Sequence, residues 1–213
     1  MLDGNLDEIE WDSAYEINDY FEISPYTLKP AEVKTITKVF SNEDGIYIGF
    51  TNFQENSSML SNKSLRDEMG VIAEQNGVAI DFDSDGSKAY MFMVTLANIK
   101  KDGIRPLGGW PEMDWDGDWE AETRKHNGYW VSEFYIPWNV VLMKKVEGNK
   151  RRINLTNKPR GGGGGGGRRT GGPGKRFQYA RPVRPPSPLR LYLRTRCKAH
   201  CSLEGRDPKS KIP

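Results

Sequence analysis

Residues 119–137 read WEAETRKHNGYWVSEFYIP, and this stretch decides the fold class. Trp119, Ala121 and Thr123 alternate with Glu120, Glu122 and Arg124, a period of two that puts one set on each face of a strand. His126-Asn127-Gly128 supplies an Asn-Gly step, whose residues tolerate the positive φ of a tight hairpin turn. Residues 129–136 return as a second strand. Pro137 ends its pairing, because proline has no N–H to give to a ladder.

The same grammar recurs upstream. Residues 35–40 are β-branched and aromatic, 41–45 are turn chemistry, and 46–50 resume a strand. Val78, Ile80 and Phe82 share one strand face. Asp83-Ser84-Asp85-Gly86 turns the chain, and Tyr90, Phe92, Val94 and Leu96 line one face of the strand that follows. Residues 151–155 make one further strand, and short helical turns are expected at 6–11 and 65–74. Regular strands separated by turn clusters predict an all-β fold, a jelly-roll-like β-sandwich over residues 1–155.

The chain has 213 residues, with 31 Lys plus Arg and 29 Asp plus Glu, but the balance is uneven. Residues 1–155 hold 16 basic and 27 acidic side chains, a net −11, and all six Trp. Residues 156–213 hold 15 basic and 2 acidic, a net +13, with 11 Gly and 8 Pro. A segment of that composition cannot bury enough apolar surface to offset its ordering entropy, so 156–213 is expected to be a disordered tail. Its Arg-Gly content resembles sequence-tolerant RNA-binding tails, yet a frameshifted translation accounts better for so abrupt a change, and no nucleic-acid partner is expected. Cys197, His200 and Cys201 lack a fourth ligand for zinc. No apolar run reaches the roughly 20 residues of a membrane-spanning helix, and a chain that opens directly on Leu2-Asp3-Gly4 is expected to carry no signal peptide.

Five motifs, in order, resemble carbohydrate-binding module family 9, including the related N-terminal domain of large bacterial envelope proteins. Residues 2–11, LDGNLDEIEW, resemble the family's "DGxLDExxW" start, and Ile46-Tyr47-Ile48-Gly49-Phe50 its "LYVGF" strand. Residues 78–92 resemble its strand–turn–strand with a carboxylate at the turn. Residues 115–121, WDGDWEA, are similar to "WDxxWEA", and 128–137, GYWVSEFYIP, to "GWxxExxIP" with one insertion. The resemblance implies a β-sandwich that binds a saccharide or polysaccharide without catalysis, in carbohydrate catabolism. Related domains are often appended to glycoside hydrolases such as xylanases. It also implies a larger parent protein at the cell envelope or outside the cell. A structural envelope domain with no sugar ligand and a haem-binding sandwich are the alternatives.

Sugar recognition needs flat apolar platforms for the C–H faces of a pyranose and directional polar groups for its hydroxyls. Trp110, Trp115 and Trp119, interleaved with Asp114, Asp116 and Asp118, supply both within ten residues. Gly108, Gly109 and Pro111 make the approach a loop. Trp119 alternates within a strand and reads as core, whereas Trp110 and Trp115 precede the strand. Asp81, Asp83 and Asp85 place hard oxygen ligands at alternate positions, as calcium prefers. The rest of a calcium loop is missing, since the twelfth position is Phe92. No pattern marks a carboxyl as buried with the raised pKa that a glycosidase acid needs, so no enzyme is expected. Haem would need His126, which sits in the Asn-Gly turn, or Met91 and Met93.

Overall fold

The computed structural model describes residues 2–24, 26–68, 70–144, 151–159, 177–180 and 191–193. Its strands are β1 (Tyr15–Ile17), β2 (Tyr20–Ser24), β3 (Tyr26–Pro30), β4 (Lys34–Ser41), β5 (Gly45–Phe53), β6 (Gln75–Asp81) and β7 (Lys88–Thr95). They continue with β8 (Lys100–Pro106), β9 (Glu120–Lys125), β10 (Tyr129–Pro137), β11 (Arg151–Lys158), β12 (Phe177–Ala180) and β13 (Leu191–Leu193). Two sheets face each other as a β-sandwich. One has the order β1-β4-β5-β10-β9. The other runs β3-β2-β12-β11-β6-β7-β8, with β13 beside β11. Among the described residues, only the β11–β13 pairing is parallel.

The three hairpins form where the turn chemistry lies. Asn42 Oδ1 accepts the N–H groups of Asp44 and Gly45, each at 3.0 Å, and closes β4–β5. Gly128, at φ +83°, turns β9 into β10. Alternation sends Ile46, Ile48 and Phe50 of β5 and Phe134 and Ile136 of β10 inward. They meet Val78, Ile80, Phe92, Val94, Ile153 and Leu155 of the opposite sheet. Each such side chain contributes about 1.5–3 kcal/mol by leaving water.

One end of the interior is polar. Asn52 and Asn76 exchange amide hydrogen bonds at 2.8 and 3.2 Å across the two sheets. Ser132 donates to Asn76 at 2.8 Å, and Asn157 donates to Thr35 at 2.7 Å. Buried amides persist because they find partners.

β11 passes three residues beyond the expected boundary at 155, since its alternation holds through buried Asn157. Within the expected tail, the backbones of 177–180 and 191–193 take strand positions, and β12 pairs with both β11 and β2. The remainder of the tail, with Cys197, His200 and Cys201, lies outside the described residues. Of the expected helical turns, one 3₁₀ turn forms at Ile9–Asp12. Among the described residues of 65–74 there is no helix, and Gly70 adopts φ +95°. β8 lacks the apolar alternation that reveals a strand, because its buried positions include Lys101 and Asp102. No helix of the described residues is long and apolar enough to cross a membrane.

Candidate functional site

The loop after β8 is fixed to the sandwich at several points. Leu107 N–H donates to Ser87 O at 2.7 Å, and Gly109 N–H to Pro106 O at 3.2 Å. Ile104 and Glu112 exchange two backbone bonds of 2.8 Å, so the loop folds back along β8. It lies close because residue 103 is glycine: a Cβ there would collide with the Glu112 carbonyl oxygen. Trp110 sits near the tip of this excursion with 89% of its surface exposed.

Trp115 comes down onto the sandwich. Its half-buried ring meets Tyr90 edge-on at 4.9 Å and Phe92 at 5.8 Å. Gly117 leaves room for that indole, since a Cβ would stand 2.5 Å from it. Gly117 N–H donates at 2.6 Å to Asp102, a fully buried carboxylate that also accepts from Arg66 at 2.9 Å. Asp116 pairs with the same guanidinium. Burial works against the Arg66 charge, but Asp102, Asp116 and Asp67 outweigh it and raise its pKa. Asp114 and Asp118 are exposed.

Trp119 corrects the sequence-based set of binding residues. It is 1% exposed, stacks on Phe134 at 5.8 Å, and carries Lys100 Nζ over its ring at 5.2 Å. It stands immediately before β9 with its ring in the core, where no ligand reaches it. Trp110, Trp115, Asp114, Asp116 and Asp118 remain on one loop.

Asp83 and Asp85 converge on Lys144, while Asp81 turns to Arg152 and Gly86, so the three do not share one point. Asp81 Oδ2 accepts Gly86 N–H at 2.8 Å and lies 3.6 Å from Arg152. Lys144 Nζ stands 3.1 Å from Asp85 and 3.8 Å from Asp83. Ser87 donors first, and Lys144 after them, hold the Asp85 carboxyl below its usual range. These carboxylates have cations and N–H groups as partners and do not fit calcium. His126 stacks on Tyr129 at 4.4 Å beside the five-stranded sheet, while Met91 and Met93 belong to β7 of the other sheet, so these three are not brought together as haem ligands.

Sequence reasoning missed the outer face of the five-stranded sheet. Phe40, Tyr47 and Tyr135 are neighbours in register on β4, β5 and β10. They stack in a row with centroids 4.7 and 4.8 Å apart. Trp11 meets Phe40 edge-on at 4.7 Å and donates its indole N–H to Glu8 at 3.1 Å. Residues 2–11, the motif at the start of the chain, form a strap over this face. Leu6 lies on Gly49. Glu133, from the motif in β10, holds the strap. Its Oε2 accepts the N–H groups of Asp3 at 3.1 Å and Gly4 at 3.3 Å. Glu133 is 3% exposed, and burial raises its pKa to about 7. It is the kind of buried acid that sequence pattern did not mark. Glycine at position 49 opposite a strand Glu was the available signal.

Two clefts, of about 350 and 300 Å³, flank the strap. Neither is lined by a residue of the 110–119 loop. Within the strap, Asp3, Asp7 and Glu8 bring carboxylate oxygens within 4.8 Å of one another.

The chain matches no protein-family model and no curated protein sequence. Its fold does match solved structures. A carbohydrate-binding module of family 9 from Caldicellulosiruptor kristjanssonii, in complex with cellotriose, aligns over 95% of this chain and 94% of that one, with TM-score 0.55 and 11% identity. A structure of a family 9 module from the same organism with glucose gives TM-score 0.56 and 12% identity, over 94% of each chain. A Bacteroides uniformis protein to which carbohydrate binding is ascribed gives 0.60 and 10%, over 87% of this chain and 89% of that one. At such identities the likeness is one of fold: the chain shares the β-sandwich of family 9 modules.

Proposed function

We propose that this chain is a non-catalytic saccharide-binding module whose contact surface is the loop between β8 and β9. The observation that carries the reading is Trp110, a large indole 89% exposed on a loop anchored by backbone pairing at Ile104 and Glu112. An aromatic platform in water, on a fixed scaffold, suits the C–H face of a pyranose. Trp115 offers a second, half-buried ring. Asp114, Asp116 and Asp118 are the hydroxyl acceptors, and Arg66 is a donor beside Asp116. Two family 9 structures of the same fold hold cellotriose and glucose, which supports a glucose-type ligand. In this reading the module belongs to a larger protein at the cell envelope or outside the cell and serves polysaccharide use.

The test is tryptophan fluorescence during titration with cello-oligosaccharides. Saturable quenching is expected. It should be lost in Trp115→Ala and reduced at least tenfold in affinity in Trp110→Ala, with the far-ultraviolet spectrum unchanged. Affinity in both variants equal to that of the parent chain sinks the assignment.

A further inference from the structure

The larger cleft on the outer face of the five-stranded sheet has a different chemistry from the loop. Its floor is the row Phe40, Tyr47 and Tyr135. Because each ring covers the next face to face, the row presents edges and the two tyrosine hydroxyls rather than an open ring face. That is a poor platform for a flat sugar. Its ionisable lining is Glu8, Glu10, Glu120 and Glu133, together with the two phenols, and among the described residues no Lys or Arg lines it. The carboxylates are graded in depth. Glu10 and Glu120 are exposed, whereas Glu133 is 97% withdrawn from solvent. Both strap N–H groups go to Glu133 Oε2, and Oε1 has no hydrogen-bond partner among the described residues. Oε1 is not sealed from solvent, and Glu133 lines the acidic cleft, so a donor that carries positive charge can complete this acid there.

We propose that this cleft binds a primary ammonium group on a slim apolar arm, of the lysine side-chain type, with the ammonium at Glu133 Oε1 and the arm against the aromatic row. An ammonium is compact and gives three donors, whereas a planar guanidinium needs a wider, forked acceptor. The methylene stem lies along ring edges while the head reaches the acid. This site stands independently of the Trp110 loop.

The charged groups around Glu133 set the pH behaviour. Asp3 and Glu8 come from the strap and Glu122 from β9, its partner in register. Arg124 lies 3.8 Å from Asp3, and Lys38 Nζ is bonded to Trp11 O at 3.1 Å. Burial foremost, with repulsion from Glu8 and Asp3, favours the protonated acid. An arriving ammonium therefore expels a proton, and below the Glu133 pKa its affinity falls about tenfold per pH unit.

The probe is Nα-acetyl-lysine methylamide, titrated calorimetrically into the full chain, with its Nε-acetylated form as the neutral control. The charged form is expected to bind and the acetylated form not. Affinity should rise about tenfold from pH 6 to 8, with proton release visible as a dependence of heat on buffer. Glu133→Gln should weaken binding at least tenfold and remove the pH dependence. Glu120→Gln should weaken it a few-fold and leave the profile intact. Trp115→Ala should change nothing here, which separates this site from the saccharide loop. Equal binding of the two probes, or a flat pH profile in the parent chain, overturns the proposal even where Glu133→Gln fails to fold.

Discussion

Trp110 and Trp11 are both indoles with carboxylates close by in sequence, and the sandwich treats them oppositely. Trp11 is covered: its N–H is bonded to Glu8, its edge rests on Phe40, and the strap that carries it is held by Glu133. Trp110 is left in water by a loop whose backbone bonds are satisfied below it. The difference is not composition but where the chain passes. The strap crosses a sheet face that has a vacant position at Gly49. The loop folds back on β8 and leaves its tip with nothing above it among the described residues. Acidic, aromatic segments can therefore serve packing in one place and presentation in another.

Trp119→Ala tests the contrast most severely, because this indole is the one of the 110–119 group that packs in the core. Removing it should cost about 3–5 kcal/mol, read from the denaturant midpoint. A loss under about 1 kcal/mol would mean that the interior of the sandwich is not packed as described. Gly49→Val probes the covered face. A side chain there meets Leu6, so the strap must shift, at about 1–3 kcal/mol, and proteolysis near the chain's start should quicken. If cleavage stays slow, the strap does not depend on that vacancy.

A smaller effect concerns Glu133. Its folded pKa of about 7 lies above the ordinary 4.5. The folded state therefore holds its proton more tightly than the unfolded chain. This contribution to stability is complete below about pH 4.5 and is lost as pH rises through 7. The midpoint should decline between about pH 5 and 8, and Glu133→Gln should flatten that decline. A decline that persists in the variant assigns it to another group. Smallest of all, Trp110→Ala should leave stability within about 0.5 kcal/mol. A larger loss would make Trp110 a packing residue and erase its contrast with Trp11.

Much of this was legible beforehand. The hairpins around residues 42–44, 83–86 and 126–128 followed from their turn residues: Asn42 Oδ1 accepts two backbone N–H groups, and Gly86 and Gly128 adopt positive φ. Trp119 could be read as core from alternation alone. β8 was hidden, because Lys101 and Asp102 occupy buried positions and are tolerated only through Glu68, Asp67, Arg66 and Gly117, contributed by distant segments. The acids of 81–85 looked like ion ligands until Lys144 and Arg152 were seen to reach them.

Local periodicity and turn chemistry determined the β4–β5, β6–β7 and β9–β10 hairpins, their facing, and the loop that carries Trp110, since these depend on neighbours a few residues apart. Only the tertiary structure decided that Glu133, 129 residues from Gly4, becomes a buried acid holding the strap. Desolvation and hydrogen-bond partnership arise from groups brought together in space, and no spacing along the chain encodes them.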